Sequence, residues 1–236
     1  MNLILLFEED FVDTGRTVRL TGRRHRHVTK VHRAAVGDTL CVGLSGGLMG
    51  KGRILTMDRE ALTMEIALDT PPPPPLPVKL ILAMPRPKVL KRLMVAVTSM
   101  GVKEIVLINA YRVEKSFWQS PALEERVLTE QFILGLEQAR DTRLPRISLR
   151  PRFKPFVEDE LPAFIEGTHP LVAHPGEATP CPRVVDTPVT LAVGPEGGFI
   201  PYEVEKLIAA GFTPVHLGER ILRVGTAVPV LLSKLF

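Results

Sequence analysis

Between positions 69 and 77 the chain reads DTPPPPPLP, and residues 71–75 are five consecutive prolines. Proline has no backbone N–H, so this stretch offers no donor to a helix or to a sheet ladder. It favours a stiff, extended conformer and suits a linker better than a core element. The run therefore places a boundary in the 236-residue chain, with one domain predicted over 1–72 and a second over 73–236.

The two sides carry different hydrophobic rhythms. Before the prolines, segments 17–20 (TVRL), 39–44 (TLCVGL), 50–57 (GKGRILTM) and 61–68 (ALTMEIAL) alternate or run apolar, and turn residues separate them. The opening MNLILLFEED lacks a basic leader and turns acidic at once, so it reads as a first strand rather than a signal peptide. Several short strands in so small a segment predict a β-barrel or sandwich. The glycine-rich VGLSGGLMGKGR is not a phosphate loop. The position that needs glycine is Ser45, and Gly52 follows Lys51 where Ser or Thr is required. It reads as a hairpin.

After the prolines, strand and helix patterns alternate. Strands are predicted at 78–84 (VKLILAM), 104–108 (EIVLI), 169–174 (HPLVAH), 189–193 (VTLAV) and 213–217 (TPVHL). A helix over 88–101 places Leu90, Leu93, Met94 and Val97 on one face and Lys88, Lys91 and Arg92 away from it. Others are predicted over 120–140, with Ser120 as cap and Pro121 first, over 201–210, ending at Gly211, and over 226–235. This alternation predicts an α/β domain with a parallel sheet.

Two cysteines, Cys41 and Cys181, give no metal-ligand spacing and no disulfide framework, so no metal site and a reducing, cytoplasmic setting are expected. No run approaches the roughly 18 apolar residues of a membrane helix, so no membrane association is expected. The net charge of +4 matters through its distribution. Residues 16–33 hold Arg23, Arg24, Arg26, His27, Lys30 and Arg33 and no acid, a footprint for a polyanion or else a solvated face. A second basic rim, Arg86, Lys88, Lys91 and Arg92, follows a predicted strand end, where α/β sheets bind ligands. Basic residues there oppose the helix dipole and favour an external anion.

Two turns complete the set. GPEGG at 194–198 is neither G-x-G-x-x-G nor a Walker loop, which argues against ordinary dinucleotide or nucleoside triphosphate binding. Its glycines allow a tight turn and a close backbone approach to a ligand. HLGERILRVGTA at 216–227 places Ile221 and Leu222 beside a glycine turn, a setting for an adenine ring. Arg223 would stand there as an isolated cation, or else in a salt bridge to Glu196.

Together, LAVGPEGGFIPYEVEKLIAAGFTPVHLGERILR, MGVKEIVLI, GLEQARDTRLPRI and LVAHP resemble the RsmE family of 16S ribosomal RNA uridine N3-methyltransferases, a branch of the SPOUT class. The basic N-terminal segment with VHRAAVGD resembles that family's PUA-like RNA-binding domain, and the likeness spans nearly the whole chain. It implies a small PUA-like β-barrel followed by a parallel-sheet domain knotted as a trefoil, a homodimer, and S-adenosylmethionine as cofactor. The cofactor loops map onto Leu171, His174 and Pro175, then Gly194, Pro195, Glu196, Gly197 and Gly198, then Leu217, Gly218, Ile221, Leu222, Arg223 and Thr226. Arg223 is the implied catalytic residue, Glu196 is expected to order its loop or face the cofactor's charge, and the two basic groups are the implied contacts to 16S rRNA or the small subunit. Ser99 and Gly225 stand where the family usually has glutamates. Transfer to another RNA atom, such as a ribose 2′-OH or a tRNA base, and a non-catalytic RNA-binding role in ribosome assembly are the alternatives.

Overall fold

The computed structural model describes residues 2–13, 15–176 and 178–236. It divides into two compact units, Met1–Pro74 with Ile133–Leu144, and Pro75–Phe132 with Pro145–Phe236.

The first unit is a five-stranded sheet. Its strands are β1 (Ile4–Leu6), β2 (Thr17–Thr21), β3 (Thr39–Leu44), β4 (Met49–Met57) and β5 (Ala61–Thr70), in the order β1-β3-β4-β5-β2. β1 runs parallel to β3, and the other pairs are antiparallel. Alternation puts Ile4, Leu6, Val18, Leu20, Val42, Ile54, Leu62, Met64 and Ile66 into one core. The glycine-rich stretch is the predicted hairpin between β3 and β4. One helix had no apolar period to announce it. α1 (Gly22–His27), continued by a π turn at Val28–His32, is built from GRRHRH and VTKVH, and only His25 and Val28 are buried in it.

The second unit is a seven-stranded sheet, β10-β12-β9-β11-β6-β7-β8, with every pairing parallel. The strands are β6 (Val78–Ala83), β7 (Glu104–Ile108), β8 (Arg146–Arg150), β9 (His169–Ala173), β10 (Thr179–Pro180), β11 (Val189–Val193) and β12 (Thr213–His216). β11 lies between β9 and β6 and is buried along its whole length, as a central parallel strand covered on both faces must be. α2 (Pro87–Ser99) buries the predicted face of Leu90, Leu93, Met94 and Val97. α6 is Pro201–Ala209 and α7 is Val224–Leu235, and α7 packs on α2.

Two sequence expectations need correction. The helix predicted over 120–140 is two elements. Ser120 Oγ accepts the Ala122 N–H of a 3₁₀ turn, Pro121–Leu123, and Glu124 is extended at ψ 133° before α3 (Glu125–Ala139) begins. The last helix starts at Val224, not Thr226, with Arg223 as its N-cap residue. The sequence pattern does not announce the edge strand β8 (RISLR) or the helical stretch of α4 (Phe153–Pro155), a π turn and α5 (Leu161–Phe164). Among the described residues, no helix is long and apolar enough to cross a membrane.

Candidate functional site

Ligands of open parallel sheets settle outside the carboxyl ends of the strands. Here three adjacent strands, β12, β9 and β11, end together, and the chain leaving each one walls a cleft of about 280 Å³. That is close to the lower end of small-molecule sites, about 300 Å³. His174 and Pro175 follow β9, the whole of 194–198 follows β11, and Leu217, Gly218, Ile221 and Leu222 follow β12. Sequence reasoning had chosen all of these. Ala173 and Arg220 also line it and lie inside the loops expected at 171–175 and 217–223, whereas Val193, Val215 and His216 were not expected, nor were Val224, Ala227 and Leu231 of α7, which close the cleft with apolar side chains. Periodicity alone marks such residues as core, so nothing distinguished them. Leu171, Arg223 and Thr226 do not line the cleft. Leu171 is buried inside β9, while Arg223 and Thr226 are exposed at the start of α7.

The 194–198 turn is drawn in tightly. A Cβ at position 194 would lie 2.9 Å from the Phe199 nitrogen and 3.2 Å from two Gly198 backbone atoms, so only glycine fits without moving the backbone. Gly198 takes φ +72° and donates its N–H to the Pro195 carbonyl at 2.7 Å. The Glu196 carboxylate accepts the Arg86 N–H at 3.0 Å, just ahead of α2, where an anion also favours the helix dipole. The salt bridge considered between Glu196 and Arg223 does not form, and Arg223 has no ion pair among the described residues. Arg112 donates to the Gly197 carbonyl, and Glu203 of α6 accepts the N–H groups of Ile200 and Tyr111. Neither residue stands out in the sequence, because the Gly197 partner of Arg112 and the Tyr111 partner of Glu203 lie 85 and 92 positions away, and the bond to Ile200 is an ordinary helix cap.

His216 Nδ1 accepts the Gly218 N–H at 2.9 Å. That lone pair is thereby occupied, so the neutral ring carries its proton on Nε2 and offers a donor.

The first basic group changes character in three dimensions. Arg24 makes a two-pronged pair with Asp10, one arm at 2.7 Å, and also donates to the Leu5 carbonyl. Arg23 pairs with buried Glu137 at 2.8 Å. The stretch holds no acid of its own, yet the fold brings one from 14 and another from 114 positions away. Burial pushes the His27 imidazole below its ordinary value, with His32 and Arg23 adding to the effect, so near pH 7 it contributes little charge. Arg26, Lys30 and Arg33 remain exposed, as do Arg86, Lys88, Lys91 and Arg92 in the second unit.

Comparison with known proteins decides the family. The family model described as RNA methyltransferase domain matches residues 72–236. The chain belongs to this family. Along 96% of its length it is 27% identical to the ribosomal RNA small subunit methyltransferase E of Treponema pallidum, covering 87% of that protein. The relative of the same name from Synechocystis is 28% identical over 93% of this chain and 72% of its own. The resemblance to the RsmE family stated from the motifs is thereby borne out. A crystal structure of ribosomal RNA small subunit methyltransferase E from Neisseria gonorrhoeae, bound to S-adenosyl methionine, shares the fold of this RNA methyltransferase. Its TM-score is 0.77 at 20% identity, over 98% of this chain and 95% of that one.

Proposed function

We propose that this protein methylates N3 of a uridine in the 16S RNA of the small ribosomal subunit, with S-adenosylmethionine as methyl donor. The observation that carries the reading is the cleft itself. Three loops that the family motifs pick out converge at the ends of adjacent parallel strands, and the backbone at Gly194 is as close as a glycine allows.

The residues present fit such a cofactor. Leu217, Ile221, Leu222, Ala227 and Leu231 give an adenine ring an apolar bed, and the 194–198 backbone lies open to a polar tail. His216 can donate one hydrogen bond from Nε2. When bound, adenosylmethionine supplies an electrophilic methyl group on a sulfonium.

The other demands fall on the protein's own groups. Uracil N3 sits on the pairing edge, so the base must be unpaired or turned out of its stack. Loss of the N3 proton spreads negative charge onto O2 and O4. Arg223, which has no ion pair among the described residues and lies one residue from cleft-lining Leu222 and Val224, is the cation that stabilises that charge in this reading. Arg26, Lys30, Arg33 and the α2 cations hold phosphates and set register rather than reading sequence. Residues 1–72 are taken as the PUA-like RNA-binding domain and 73–236 as the methyltransferase domain, with 133–144 of the latter stretch completing the first compact unit. The insertion of β11 between β9 and β6, with α7 returning onto α2, supports a trefoil-knotted chain. A homodimer working in the cytoplasm completes the reading.

The test is transfer of labelled methyl groups to small-subunit RNA from cells lacking the modification, followed by mapping of the nucleotide. Incorporation at a uridine N3 that falls at least tenfold in Arg223→Ala supports the assignment. Label on a ribose or on tRNA would replace the substrate, and no label despite bound RNA would leave a binding protein.

A further inference from the structure

The turn between β11 and α6 is closed locally, by Gly198 N–H to the Pro195 carbonyl and by Glu203 N–H to the Ile200 carbonyl. It is nevertheless tied at two points to the segment that follows β7, 109–113. Arg112 donates from Nη1 to the Gly197 carbonyl, and its Cδ lies 2.9 Å from where a Cβ at 197 would stand. Glu203, only 3% exposed, divides its carboxylate. Oε1 accepts the Tyr111 N–H at 2.7 Å, and Oε2 accepts the Ile200 N–H at 3.0 Å. Burying a carboxylate is costly unless its oxygens are hydrogen-bonded, and here both are committed. Closing the turn needs neither long-range tie. What they fix is where the 194–198 backbone stands relative to the ends of β9 and β12.

We propose that Arg112 and Glu203 are positioning residues for the ligand cleft, and that they couple the 109–113 segment to its occupancy. This rests on the adenosylmethionine reading of the cleft. The coupling is reciprocal: if a fixed turn raises affinity for the ligand, the ligand must in turn order the segment that fixes it. Ala110 and Val113 are buried and anchor the segment, whereas Tyr111 and Arg112 between them are exposed, so the ties order this exposed middle of the segment.

The experiment uses the full chain, calorimetry with adenosylmethionine, and amide hydrogen exchange over 109–113 with and without it. Arg112→Met keeps the stem and loses the donor, while Arg112→Lys keeps one donor. Glu203→Gln keeps the volume but can accept only one of the two N–H groups. The expected result is affinity about fivefold weaker in Arg112→Met and in Glu203→Gln. Arg112→Lys should recover most of it, and the Arg112 variants should melt where the wild type does. Ligand should slow exchange at the Tyr111 amide in the wild type and fail to do so in Arg112→Met. Wild-type affinity in both Arg112→Met and Glu203→Gln, or exchange at 109–113 indifferent to ligand, overturns the proposal alone. No binding heat from the wild type overturns the cofactor reading and this inference together.

Discussion

Adding one methyl group at position 194 tests the cleft at its tightest point. In Gly194→Ala the new Cβ meets the Phe199 nitrogen at 2.9 Å and the Gly198 carbonyl carbon and Cα at 3.2 Å each. Comfortable separations are about 3.5–4.0 Å, so the turn must retreat by roughly half an ångström. All three neighbours are backbone, and no side chain can rotate away. Residue 194 follows directly on β11, which is hydrogen-bonded on both sides and fully buried, so the displacement falls on 197–199. Overpacking of this kind costs about 1–3 kcal/mol, and a ligand resting on the same backbone should lose about five- to 150-fold in affinity. Calorimetry with adenosylmethionine or adenosylhomocysteine reads the loss, and a thermal melt reads the strain. A Gly194→Ala protein that binds and melts like the wild type would refute the claim that close backbone approach shapes this cleft.

Gly225, where the family usually has glutamate, should behave in the opposite way. A Cβ there meets only Val89 Cγ1 at 3.6 Å, so Gly225→Ala should stabilise α7 by about 0.5–1 kcal/mol, read as a higher melting temperature. Gly225→Glu should fold and gain about 0.3–1 kcal/mol from its place in the first turn, and a lower melting temperature would refute this. Arg24→Met should cost about 3 kcal/mol by leaving buried Asp10 without its cation, whereas Arg26→Ala should leave stability unchanged and lower RNA affinity. In a salt titration, Arg26→Ala should reduce the slope of log affinity by about 0.7 if it holds one phosphate of a single strand. His27 has its folded-state value pushed down, so the unfolded chain binds the extra proton and stability is lost as pH falls below about 6.5. His27→Gln should therefore lose less stability than the wild type between pH 7.5 and 5.5, and parallel denaturation curves would exclude the effect.

Most of the sheet scaffold could be read from alternation and apolar runs. Strands β3, β7 and β11 fall where the sequence places them, because each is an apolar run bounded by polar or turn-forming residues, Asp38 and Ser45, Lys103 and Asn109, and Pro188 and Gly194. The loops of the cleft were legible for a related reason: glycine turns directly after apolar runs mark the carboxyl ends of parallel strands. What stayed hidden depends on partners distant in sequence. α1 has almost no apolar face, since its arginines find Asp10 and Glu137. The α7 wall of the cleft looks like core because it is core on its other side, where Val228, Leu232 and Leu235 are buried. Ser120 and Pro121 gave a correct cap signal, but for a 3₁₀ turn, because nothing local reveals that Glu124 leaves the helical region.

The N-terminal compact unit is discontinuous in the chain. Residues 133–144 supply it with Leu136 against Leu3 and Leu5, with Glu137 for Arg23, and with Thr142, which bonds the Gly47 carbonyl. During synthesis, therefore, the first 74 residues leave the ribosome without the piece that finishes them. Roughly 70 further residues must be translated before it exists, a wait of about 4–14 s at about 5–20 residues per second. Through that interval Leu3 and Leu5 lack their cover, and the strands nearest the start of the chain become some of the last to settle.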